Sequence, residues 1–155
     1  MCWKCDDPAL TPEEYLARMA RLVRKHCWVV QGVRGERGRP PWSYTVGLTS
    51  HQRPELVTTG LPAARAAALL DGVAAHLVHA TAPPPGEQVR LVSGPLVEFV
   101  EVDHPEIHLA MAQALYGPAV RALQVVWADD RDHWPWDEGF RSRQGGQPVL
   151  GRRAR

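Results

Sequence analysis

The chain has 155 residues, a formal net charge of +1 and nearly equal numbers of acidic and basic side chains. That length makes one ordinary domain with a core of its own. The balanced charge argues against a nucleic-acid binder, which normally shows a concentrated basic excess. No apolar run approaches the ~20 residues needed to cross a bilayer, and no basic-then-apolar leader opens the chain. Three cysteines, an odd count, suit a reducing compartment and not a disulfide framework. The expectation is a cytoplasmic protein without membrane or nucleic-acid partners. A homodimer is compatible with the sequence, which carries no feature that sets the oligomeric state.

Residues 1–10 form a short polar arm carrying Cys2 and Cys5. Thr11-Pro12-Glu13-Glu14 is a capping box with proline at the first helical position. The helix it opens should reach residue 25 or 26, with Tyr15, Leu16, Met19, Leu22, Val23 and His26 on one face. Residues 28–33 are a β-branched strand. Residues 34–41 are a loop with Arg34, Arg37 and Arg39, read as a flexible turn in preference to an anion site. Trp42, Tyr44, Val46 and Leu48 then alternate with Ser43, Thr45 and Gly47, the period of a half-buried strand. After a turn at 49–54, residues 55–59 return as its antiparallel neighbour.

A central helix follows over 62–79, burying Ala66, Leu69, Leu70, Val73 and Leu77, with Gly72 inside it at a cost of roughly 1 kcal/mol against alanine. The prolines of residues 80–86 end it. Residues 87–92 and 96–103 are two strands joined at Ser93-Gly94-Pro95. Asp103, with Glu106 three residues on, is expected to cap a helix whose buried stripe is Ile107, Met111, Ala114 and Leu115. Gly117-Pro118 closes that helix, and residues 120–128 are the last strand. One domain over 1–151 is expected, with 152–155 a frayed basic tail.

Three groups of residues carry candidate chemistry. Cys2 and Cys5 have the spacing of half a zinc site. The remaining ligands would come from histidines near element ends, His26, His104, His108 or His133, with His133 the preferred partner. Free thiols on a packed or mobile arm are the plain alternative. The second group is the polar run 129–138, where carboxylates and His133 could bind metal or exchange protons. Within it Trp134 and Trp136 could close over a flat ligand or simply cover the core edge. The third is Thr58, Thr59 and Arg65, hydroxyls at a strand end feeding a helix N-terminus, a plausible anion seat. Trp42 and Tyr44, on one side of their strand, would floor the same pocket.

Several of these segments resemble one bacterial family, frequent in actinobacteria, that is known only as a domain of unknown function. They are Met-Cys-Trp-Lys-Cys-Asp, Pro-Pro-Trp-Ser-Tyr-Thr-Val-Gly-Leu, Pro-Glu-Leu-Val-Thr-Thr-Gly-Leu-Pro, Leu-Tyr-Gly-Pro, and Trp-Ala-Asp-Asp with His-Trp-Pro-Trp. The resemblance covers residues 2 to about 151 and implies no established activity. Members usually carry glycine where this chain has Cys27. The order of elements also resembles the flavin-binding split β-barrel proteins. That resemblance implies a flavin phosphate held near Thr58, Thr59 and Arg65, although the basic residues such proteins supply from neighbouring strands are missing.

The expected fold is therefore α+β: a mainly antiparallel six-stranded sheet, or a partly closed split barrel, with three helices. The expected function is binding of a small molecule or a flavin-like cofactor, with redox chemistry on a flat cofactor as one form of it. Trp42, Tyr44, Thr58, Thr59, Arg65, Trp134 and Trp136 would build the site. The alternative is an interaction module whose Cys2–Cys5 arm is locked by zinc.

Overall fold

The computed structural model describes residues 9–155. Cys2 and Cys5, and with them the zinc-arm expectation, lie outside the described residues. The capping box forms as its chemistry requires: Thr11 Oγ1 accepts the Glu14 amide at 3.2 Å and the Glu14 carboxylate accepts the Thr11 amide at 3.0 Å. Helix α1 runs Pro12–His26 and buries Tyr15, Met19 and Val23. Strands β1 (Val29–Val33), β2 (Trp42–Val46) and β3 (Glu55–Thr59) follow, then helix α2 (Ala63–Leu77). Strands β4 (Gln88–Arg90) and β5 (Leu96–Glu101) precede two short helices, α3 (Pro105–His108) and α4 (Ala110–Tyr116), and β6 (Ala122–Trp127) closes the order.

The six strands form one sheet in the order β1-β2-β3-β6-β5-β4. Four pairings are antiparallel, and the central one, β3 with β6, is parallel. The fold is thus α+β with an open, mixed sheet, not a closed barrel. Every residue of β3 and of β6 is buried, as befits strands covered on both faces.

Helix α2 covers one face, packing Leu69, Leu70, Val73 and Leu77 over Leu56, Phe99, Leu123 and Val125. Each such side chain contributes about 1.5–3 kcal/mol on burial, which outweighs the ~1 kcal/mol cost of Gly72. No atom approaches Gly72 closely, so packing gives no compensation there. Helices α1 and α4 cover the other face, placing Met19, Val23 and Ala112 over Tyr44, Val46 and Val57. Strand alternation therefore turns Trp42, Tyr44 and Val46 away from α2.

The segment after β5 corrects two expectations. Asp103 caps no helix: its amide donates to the Leu150 carbonyl at 2.9 Å, and His104, at φ 55, is the N-cap of α3 without a side-chain bond. The single helix expected here breaks at Leu109 (φ −117, ψ 58), which turns the apolar stripe. Leu109 and Ala112 are buried, Met111 and Leu115 pack partly, Ala114 is exposed and Ile107 is 63% exposed. Gly117 ends α4 at φ 70, in the glycine role the sequence signals.

A C-terminal strap completes the sheet face beside α4. The Gln147 amide exchanges two hydrogen bonds with the Trp127 backbone, at 2.9 and 2.8 Å. The Pro148 carbonyl accepts from Thr59 Oγ1 at 2.7 Å and Gln124 Nε2 at 2.8 Å, and the Leu150 amide donates to Gln124 Oε1 at 2.7 Å. Buried Gln124 is satisfied by this strap, as a buried amide must be. Arg153 ends it, paired with the buried Glu98 at 2.9 and 3.0 Å and lying 3.6 Å over the Trp136 ring. Among the described residues no helix is long and apolar enough to cross a membrane.

Candidate functional site

The chain leaves β2 through Gly47, whose φ of 134 belongs to glycine, and turns through a 3-10 segment, Leu48–His51. One buried carboxylate organises this turn. Glu55, with no exposed surface, accepts Thr45 Oγ1 at 2.8 Å and the Leu48 amide at 3.1 Å on one oxygen. Its other oxygen accepts the Gly47 amide at 3.3 Å, the Thr49 amide at 2.8 Å and the Thr49 hydroxyl. Five donors saturate a group that can only accept when ionised. Burial pushes the Glu55 pKa up, and the hydrogen bonds from Thr49, Thr45 and Leu48 pull against that rise. Ser50 Oγ adds a tie of its own, donating to the Gly47 carbonyl at 2.7 Å.

This turn forms one wall of a cavity of about 380 Å³. Its apolar lining comes from Ala20 and Val23 of α1 and Leu115 of α4. Polar groups converge on it from three segments: Arg24 and Cys27 at the end of α1, Ser50 and His51 on the turn, and Tyr116 at the end of α4. Arg24 also lies in the last turn of α1 with Lys25 and His26, where positive charge complements the helix carbonyl end. Burial raises the Tyr116 pKa, a hydrogen bond with Ser50 opposes it, and the Glu55 charge adds to it.

Cys27 is the C-cap of α1, at φ 72 and ψ −38, and its amide donates to the Val23 carbonyl at 2.8 Å. A side chain in that conformation carries strain of order 1–3 kcal/mol that glycine avoids. Its thiol is exposed on the cavity wall.

The seven residues expected to build a cofactor site are not gathered into one place. Tyr44 is sealed in the core, its hydroxyl accepting the Met111 amide at 3.0 Å and its pKa pushed up to about 12 by burial. Thr58 Oγ1 donates to the Val125 carbonyl at 3.0 Å, and Thr59 Oγ1 is held by the strap. Arg65 is exposed on α2, which covers the opposite face from Trp42 and Tyr44. With both hydroxyls spent inside the sheet and the guanidinium elsewhere, these three residues do not fit a flavin phosphate. Trp42 and Thr59 share a cavity, a smaller one of about 130 Å³ beside the strap.

The polar run 129–138 is a self-organised loop. The Asp129 carboxylate accepts the amides of Arg131, His133 and Arg141, each at 2.9 Å. Desolvation works to raise the Asp129 pKa, yet these amides together hold it below the usual carboxylate range. His133 packs against Gly139 with its Nδ1 3.4 Å from Asp129 Oδ2. Among the described residues no three His, Cys, Asp or Glu side chains converge as metal ligands. Trp134 and Trp136 stack at 5.4 Å with nearly parallel rings, and Arg153 lies on the latter. Trp136 thus packs on the guanidinium that pairs with Glu98, and neither indole lines the Trp42 cavity.

The residues missed by sequence reasoning are Glu55 as organiser, and Arg24, Ser50, His51 and Tyr116 around the cavity. One signal for Glu55 was legible: a lone carboxylate opening a strand without other charges, six to eight residues after a Gly-Leu-Thr turn with amides to satisfy. No curated protein and no solved structure matches the chain. A family described as a domain of unknown function, DUF4262, matches residues 22–141, a span that holds the Glu55 turn and the cavity wall from Val23 to Tyr116. With most of its length inside that match, the chain belongs to the DUF4262 family.

Proposed function

We propose that the domain binds a small organic molecule in the cavity between α1, α4 and the Leu48–His51 turn. The observation that carries this reading is the pairing of an apolar floor with polar groups set on a turn that a buried carboxylate holds rigid. Ligand sites combine these two features, with volumes of about 300–1,000 Å³. A site positioned by a second layer of hydrogen bonds discriminates better than one on a loose loop. Ala20, Val23 and Leu115 would take the apolar body of the ligand. His51 and Tyr116 would hydrogen-bond its polar end, and Arg24 favours a carboxylate or other acceptor there over a cation.

The test is a binding screen of the full chain with small neutral and carboxylate-bearing molecules, repeated on Ala20→Phe, which fills the floor from an already half-exposed position. Binders with sub-millimolar affinity are expected, and Ala20→Phe should weaken them at least about tenfold, a loss of ~1.4 kcal/mol, with an unchanged circular dichroism spectrum. Binders indifferent to Ala20→Phe would place the site elsewhere.

A further inference from the structure

The second cavity lies on the same sheet face, between the 34–41 loop, α3 and the strap. Its loop is not a free turn: the Glu36 amide donates to the Arg39 carbonyl at 2.9 Å and the Arg39 amide to the Glu36 carbonyl at 3.0 Å. That closed backbone pair presents the Arg39 guanidinium 5.8 Å over the Trp42 ring. Trp42 Nε1 in turn donates to the His108 carbonyl at 2.9 Å, fixing the floor to the end of α3. Arg39 and His108 therefore line one small cavity together with Thr59 and Pro148.

We propose that this cavity is a seat for a small oxyanion, a carboxylate or a phosphate, held between Arg39 and His108. Thr59 Oγ1 and the Pro148 carbonyl at its wall are already engaged, since the hydroxyl donates to that carbonyl, which also accepts from Gln124. Among the described residues no carboxylate forms an ion pair with Arg39; the four ion pairs join Arg90 to Asp132, His104 to Glu106, His133 to Asp129 and Arg153 to Glu98. About 130 Å³ is room for one such group with a water or two, at ~30 Å³ per water. Trp42 adds a flat apolar wall, and Arg39 above it is the side chain whose planar fork matches an oxyanion.

The groups around His108 are consistent with this. Burial holds its pKa below the usual value, Arg39 lowers it further, Glu106 opposes and His104 adds to the lowering. An anion between the two side chains relieves the repulsion that a charged His108 ring meets from Arg39. Binding must then favour the charged imidazole and raise the His108 pKa.

The experiment is an NMR titration of the histidine rings of the full chain, at constant ionic strength, with inorganic phosphate in one arm and acetate in the other. In the arm whose anion fits, the His108 pKa should rise by about half a unit or more, while exposed His104 moves less. Arg39→Gln, a substitution on an exposed loop side chain, should raise the pKa of His108 in the free protein and abolish its response to the anion. The proposal is overturned if neither anion moves His108, if His104 responds equally, or if the response survives in Arg39→Gln.

Discussion

Glu55→Ala should lower the unfolding free energy by about 3–5 kcal/mol. The carboxylate accepts five hydrogen bonds in a site without water access. Alanine would leave the Gly47, Leu48 and Thr49 amides buried or half-buried and unpaired, at about 1–3 kcal/mol for each that no water reaches. Against a typical total of ~5–15 kcal/mol, such a loss shifts a urea or guanidinium midpoint strongly. The sign of its pH dependence follows from burial. Because the Glu55 pKa is raised in the folded chain, the folded state holds this proton more readily than the unfolded one. Its contribution is fullest below the unfolded pKa and falls as pH rises through the folded pKa. The cost of Glu55→Ala should therefore be larger in the acid range than at neutrality. An unchanged midpoint at both would show that the turn stands without the carboxylate.

Gly47→Ala should cost about 3 kcal/mol or more, for a reason independent of hydrogen bonding. At φ 134 an L side chain is strained, and a Cβ at this position would fall inside contact distance of the Cys27 carbonyl and the Trp28 Cα. Neither can retreat cheaply. Cys27 closes α1 through its bond to Val23, and Trp28 leads directly into β1, where Val29 pairs with Val46. Overpacking of this kind adds ~1–3 kcal/mol to the backbone strain. Gly38 is the control: its φ is +73, but no atom lies near a Cβ built there. Gly38→Ala should cost only about 1 kcal/mol, so equal losses at the two positions would remove the contact from the explanation.

Local physics made much of the fold legible. The Thr11–Glu14 box, the alternation of β2 from Trp42 to Val46 and the leucine spacing of α2 each work within a few residues of themselves, and each formed. Strand β2 is buried on both faces instead of half-buried, and Leu48, expected to continue the alternation, lies in the 3-10 segment and packs with the opposite core cluster. Where distant chain intervenes, the reading failed. Asp103 looked like a cap because Glu106 follows it at capping distance, but Leu150 takes its amide from 47 residues away. The stripe Ile107, Met111, Ala114 and Leu115 assumed one unbroken helix, and the bend at Leu109 turned it. Nothing local reports that β6 inserts between β3 and β5, and so makes the one parallel pair.

The candidate site was less legible for the same reason. Its side chains come from the end of α1, the turn after β2 and the end of α4, and no spacing within the chain joins Arg24 to His51 or either to Tyr116. Trp42 and Tyr44 drew attention as large amphipathic rings. Alternation placed both on one face correctly, but which helix would cover that face is a tertiary fact. Once α1 and α4 cover it, Tyr44 is core and only Trp42 reaches a cavity wall.

The most direct test of the binding-site assignment is backbone amide shift mapping of the labelled full chain with the tightest binder from the screen. The perturbed amides should cluster at residues 20–27, 48–51 and 115–116, with the strongest effects at Ser50 and His51 on the Glu55-held turn. Perturbations centred on the outer face of α2, or on the Trp134–Trp136 segment, with those three stretches unmoved, would contradict it.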